Sequence, residues 1–207
     1  MIDTIRRRWA NAALWVGMFA GAGALLIAPD AARAALAQVG APAPVFTLPS
    51  IDGRKVSLAD YAGKYVVLEW WNSQCYAINR HYDGGAMQAA QKRARSSEVV
   101  WLTVDSTQPG HSSFVDARQT ADMLRKWKAT PSALLQDPDG RVGRLYGATV
   151  TPHTFVIDPK GRLIYAGAID DQRAMRDVKK ARNLAFAALD EARAGTPVST
   201  PLTQGYG

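Results

Sequence analysis

From Tyr65 to Trp71 the chain runs almost without interruption through apolar, β-prone residues, and its single cysteine, Cys75, follows within a few positions. A strand of that kind has no polar face to offer water. It must be covered on both sides, which places it inside a sheet with layers above and below. Glu98 to Val104 repeats the pattern and ends at Asp105. Between the two, Gly84-Gly85 is followed by a helical stretch from Ala86 to about Arg95. Two buried strands joined by a helix read as a parallel pair.

The remaining chain extends that arrangement. Val45–Leu48 and Lys55–Leu58 are short extended pieces around an Asp52-Gly53 turn, and Phe114–Lys128 is a helix with Val115, Met123, Leu124 and Trp127 on its apolar face. Ala133–Gln136 is a strand closed by Asp137-Pro138-Asp139-Gly140, and Val142–Tyr146 is a short helix. Thr154–Ile157 and Arg162–Ala168 form a hairpin across Asp158–Gly161. A last helix is expected from Arg173 to Ala194. The whole is an α/β fold, a mixed central sheet with helices on both faces. A length of 207 residues with 47% hydrophobic content suffices for one such core.

The N-terminus reads as an export signal. Arg6-Arg7-Arg8 precedes an uncharged run from Ala12 to Ala28, and Ala32-Arg33-Ala34 and Ala35-Leu36-Ala37 offer small-residue cleavage sites. The expected organisation is a signal peptide or uncleaved anchor over 1–37, a linker over 38–44, one domain over 45–195 and an irregular tail over 196–207. The location is periplasmic or otherwise extracytoplasmic, with membrane contact only if the first segment is retained. The net charge of +7 is spread without a basic, aromatic-interleaved stripe, so no nucleic-acid surface is expected. One cysteine cannot form an internal disulfide. In an oxidising compartment it is a free thiol or an intermolecular partner.

Cys75 follows a buried strand and precedes a helix. A thiol at a helix N-terminus feels unpaired backbone N–H groups and the positive end of the dipole, which favour the thiolate. Strand-to-helix turns are also where open α/β sheets place ligands. The alternative is an inert, packed cysteine.

Around this residue the chain resembles a known superfamily. Val66-Val67-Leu68-Glu69-Trp70-Trp71-Asn72-Ser73-Gln74-Cys75 is similar to the strand and active-site turn of thioredoxins, and Thr151-Pro152-His153-Thr154-Phe155-Val156-Ile157-Asp158 to their cis-proline loop and following strand. Ala43–Leu48, Leu58–Lys64 and the stretch from Asp137 to Gly167 resemble the peroxiredoxin-related (AhpC/TSA-type) extracytoplasmic redoxins. The likeness covers about residues 40 to 195. It implies a thioredoxin-like fold in which Cys75 is the nucleophile and Glu69 a buried, proton-relaying acid. Trp71 packs beneath the site, and Thr151-Pro152 present backbone to the sulfur and its partner. Asn72, Tyr76 and His153 line the surroundings.

The departures narrow the chemistry. The second thioredoxin cysteine would fall at position 78, which is Ile78, so cycling through an internal disulfide is excluded. The peroxidatic Pro and Thr positions, seven and three residues before Cys75, hold Leu68 and Asn72. Some members of that branch carry a cysteine just beyond a Tyr-Gly pair; Tyr206-Gly207 stands at the end of this sequence. His81, at about 240° around a helix from Cys75, points away from the sulfur and is expected at the surface. His111 is expected to be solvent-exposed, and Asp170-Asp171 to cap a helix. Ligand spacing for a metal is missing, and no cofactor is expected. The expectation is an antioxidant thiol oxidoreductase acting on a small peroxide or a partner protein's disulfide and restored by an external thiol. The alternative is a degenerate thioredoxin fold serving as a binding or chaperone-like module.

Overall fold

A computed structural model describes residues 36–174 and 177–207. The expected export segment, up to residue 35, lies outside them. β1 (Thr47–Pro49) and β2 (Lys55–Ser57) form a small antiparallel hairpin, followed by a single 3₁₀ turn at Leu58–Tyr61. The main sheet contains β3 (Val66–Trp70), β4 (Val100–Asp105), β5 (Ala133–Gln136), β6 (His153–Ile157) and β7 (Leu163–Gly167), in the order β5-β4-β3-β6-β7. β3, β4 and β5 are parallel, and β6 and β7 are antiparallel to their neighbours. This is the mixed sheet expected, with the Tyr65–Trp71 run at its centre.

All five residues of β3 are buried, and they alternate between two cores. Val66, Leu68 and Trp70 pack on the side of the β1–β2 hairpin and α4 (Arg141–Tyr146). Val67 and Trp71 pack against α1 (Tyr76–Asp83), α2 (Ala86–Ser96), α3 (Ala117–Trp127) and α5 (Leu184–Arg193). The crossovers from β3 to β4 and from β4 to β5 step the same way across the sheet, so their helices share one face. Glu69 is in phase with Val67 and Trp71 and therefore faces this helical layer.

Two helices start later than the sequence expectation. The final helix begins at Leu184, not Arg173. Asn183 accepts the Phe186 N–H at 2.9 Å as its cap, and Asp170 bridges to Asn183 immediately before the helix. Asp170-Asp171 consequently cap no helix. α3 starts at Ala117 because Asp116 and Gln119 form a reciprocal capping pair, leaving Phe114 and Val115 before it.

The segments on either side of the domain are seated rather than loose. In the stretch read as a linker, Gly40 N–H donates to Leu163 O at 2.7 Å and Ala41 O accepts from Leu163 N–H at 3.0 Å. The tail has no regular helix or strand, yet Ala166 N–H donates to Pro201 O and Thr203 N–H to Ala166 O, both at 3.0 Å. Together they cover the outer edge of β7, whose backbone groups would otherwise be free to pair with another chain.

Candidate active site

β3 ends at Trp70, and its antiparallel register pairs Trp70 with His153 at the start of β6. That register brings the Trp71–Cys75 turn beside the Thr151-Pro152 loop, although the two are far apart in the chain. Cys75 is the N-cap residue of α1, and its side chain makes no capping bond. Its thiol donates instead to the Thr151 carbonyl oxygen at 2.9 Å, and the residue is partly exposed. The Thr151–Pro152 peptide is cis, and Pro152 is buried.

The turn is held by Asn72. Its Oδ1 accepts the Gln74 N–H at 2.8 Å, and its amide donates to Thr107 Oγ1 at 2.8 Å and Ser113 Oγ at 3.1 Å. Asn72 thus ties the turn to the loop after β4 and has no amide hydrogen left for a ligand at the sulfur. Trp71 is buried within the helical-side core, whereas Tyr76 is exposed at the start of α1. His153 stacks near Phe155, with ring centroids 4.6 Å apart, and burial lowers its pKa to about 4. Its imidazole is therefore neutral at physiological pH. An open cleft runs between Asn72, Thr107, Thr149 and Thr151.

Glu69 is fully buried. Trp101 Nε1–H and Thr103 Oγ1–H donate to its Oε2 at 2.7 and 3.1 Å, and the Tyr82 hydroxyl donates to Oε1 at 3.2 Å. Burial raises its pKa to about 7, and the three donors moderate that rise. Tyr82, pressed against this carboxyl and also buried, has its own pKa raised well above the usual phenol value. Gln91 supports it by donating to the Tyr82 oxygen at 3.1 Å. Sequence reading singled out Glu69 but missed its partners. The available signal was Thr103, a hydroxyl in the middle of a buried strand and directly across from Glu69 in the register.

His81 is a correction. It is buried rather than at the surface. Its Nδ1 meets the Ala77 carbonyl at 3.0 Å and its Nε2 meets Asp170 Oδ2 at 2.9 Å. Asp170 also receives the hydroxyl of Tyr206. Burial works against its charge, yet these donors hold its pKa below the usual carboxylate value. His111 lies exposed in the loop after β4, bonded to Ser113.

The AhpC/TSA family model matches residues 39–166. The thiol-disulfide oxidoreductase ResA of Bacillus thuringiensis subsp. konkukian (strain 97-27) is 26% identical over 127 residues, 61% of this chain and 68% of its own. The thiol:disulfide interchange protein DsbE of Xylella fastidiosa (strain 9a5c) is 30% identical over 141 residues, 66% of this chain and 65% of its own. Among solved structures, the hypothetical protein SMc02350 of Sinorhizobium meliloti 1021 superposes with a TM-score of 0.69 at 21% identity, over 81% of this chain and 90% of that one. At that identity the superposition speaks for the fold.

Proposed function

Because this chain belongs to the AhpC/TSA family, we propose that it is a thiol-dependent redoxin whose only nucleophile is Cys75, working outside the cytoplasm. The observation that carries this reading is the placement of the thiol. It caps a helix without bonding to it, is partly exposed, and lies beside the Thr151 carbonyl. The relatives named for thiol–disulfide chemistry support the same class of reaction.

In the proposed reaction the Cys75 thiolate attacks a peroxide oxygen. An S–O bond forms, the O–O bond breaks, and the departing oxygen leaves as hydroxide or alkoxide and takes up a proton. Sulfur is oxidised by two electrons to the sulfenic acid. If the oxidant is a disulfide, its S–S bond breaks instead and a mixed disulfide forms with loss of one thiolate. A lone cysteine needs an external thiol to return. One thiol condenses with the sulfenic acid and releases water; a second attacks the mixed disulfide, freeing Cys75 and carrying the electrons away as its own disulfide. Glu69, with a pKa of about 7, is poised to hold or release a proton beneath the site. The Thr151 carbonyl keeps the thiol hydrogen directed until it departs.

Mass spectrometry of Cys75 after mild peroxide tests this. The expected product is a gain of one oxygen, replaced by a thiol adduct when a small thiol is present, with no change in Cys75→Ser. An unmodified Cys75 under both peroxide and disulfide, with Cys75→Ser indistinguishable in peroxide consumption, would instead favour a binding module.

A further inference from the structure

The segment Pro201–Gly207 follows the outer edge of β7 and then reaches the Val150–His153 stretch, whose Thr151 carbonyl receives the reactive thiol. It is pinned along its length. The Thr203 hydroxyl accepts the Ala168 N–H at 2.9 Å and meets the Tyr165 hydroxyl at 2.6 Å. Tyr206 is buried and donates to the Asp170 oxygen opposite the one held by His81. Gly205 and Gly207 then lie against the loop that faces the sulfur. A Cβ on Gly205 would stand 2.7 Å from Val150 Cγ2 and 3.4 Å from His153 Cδ2. A Cβ on Gly207 would collide with the Thr151 carbonyl oxygen and stand 2.9 Å from its carbon. At Gly207 the obstacle is backbone and only a hydrogen fits, whereas at Gly205 the Val150 methyl would have to move. That same carbonyl oxygen accepts the Cys75 thiol at 2.9 Å.

We propose that residues 204–207 form a strap that makes the site selective for small oxidants and excludes disulfides embedded in a polypeptide. The proposal rests on the reading of Cys75 as the nucleophile. A disulfide within a polypeptide brings its flanking chain to the sulfur, and that chain must lie along the backbone beside it. Here the backbone beside the sulfur is Thr151, and Gly207 already covers it. A peroxide or a low-molecular-weight disulfide brings no such chain. Cys75 itself stays partly exposed, which leaves an approach for it. Lifting the strap also takes the Tyr206 hydroxyl away from the buried Asp170, which opposes displacement by an incoming chain.

The test uses one leaving group on two carriers: the symmetrical aromatic disulfide of 5-thio-2-nitrobenzoate, and the same thiol in mixed disulfide with a twelve-residue peptide. Release of the coloured thiolate reports the attack of Cys75 on each. Deletion of residues 204–207 is expected to raise the peptide rate by at least about tenfold while the small reagent changes by less than about twofold. Tyr206→Phe, which keeps the packing and loses the bond to Asp170, is expected to move the peptide rate in the same direction by a smaller factor. It also serves as the readout should the deletion fail to fold. Equal responses of the two reagents, or a peptide rate already matching the small reagent in the intact protein, would overturn the strap. Failure of Cys75 to attack either reagent in any variant would overturn the functional reading beneath it.

Discussion

Glu69→Gln should change how stability depends on pH, in a direction set by burial. The unfolded chain gives up this proton near 4.5, the ordinary carboxyl value, and the folded protein near 7. Between those values the folded state holds a proton that the unfolded state has lost, so stability falls as pH rises across the interval. Below 4.5 both states are protonated and the effect vanishes. The full difference corresponds to about 3 kcal/mol above pH 7. Gln mimics the protonated acid: its oxygen can take the place of Oε2 and accept from Trp101 and Thr103, while its amide donates to Tyr82. Urea unfolding followed by tryptophan fluorescence between pH 4 and 8, on both proteins, isolates the contribution. The wild type should lose about 3 kcal/mol relative to the variant from pH 4 to pH 8. Parallel curves, or a wild type that gains on the variant as pH rises, would refute the argument that burial dominates this carboxyl.

Two further outcomes are expected elsewhere in the site. His153, with a folded value of about 4 against an ordinary 6.5, contributes stability above pH 6.5 that is lost as pH falls towards 4. Its ring resonances should accordingly stay unshifted from pH 8 down to 5.5, and a midpoint near 6.5 by NMR would contradict the burial. Thr154 lies across from Glu69 in β6, and its buried hydroxyl has no hydrogen-bond partner among the described residues. Thr154→Val should therefore leave stability unchanged or raise it by up to about 1 kcal/mol, whereas a loss of comparable size in urea unfolding would reveal a bond to that hydroxyl.

What could be read from the sequence was whatever short-range pattern encodes. The double-sided burial of Tyr65–Trp71, the placement of Cys75 after it, and the Gly84-Gly85 break all follow from residues within a few positions of each other. The turn before β6 was legible too, because Thr151-Pro152 sits beside a strand pattern. The cluster of His81, Asp170 and Tyr206 was not legible. His81 and Asp170 are 89 residues apart, and nothing local distinguishes a buried His–Asp pair from two surface residues. The same reason hid the start of the last helix: its cap, Asn183, is fixed by pairing with Asp170 rather than by helix propensity. Asn72 was legible as a residue lining the site, but its ties to Thr107 and Ser113 on another loop were not.

The pairing of β3 with β6 also governs the order of events as the chain folds. Cys75 and the Thr151 carbonyl that holds its thiol are separated by 76 residues, and they meet only when β6 adds to the edge of β3 left open by β4. β3 and β4, joined by the local helices α1 and α2, have a much shorter loop to close. Contacts between distant residues form late because chain entropy opposes them. During that interval the sulfur stands at the end of a formed strand and helix with its receiving loop still undocked. An immature chain that meets a peroxide is thus at its most vulnerable: the sulfenic acid formed on its sulfur condenses with the thiol of a second copy and releases water, and covalent dimers trapped during refolding in peroxide should be joined through Cys75.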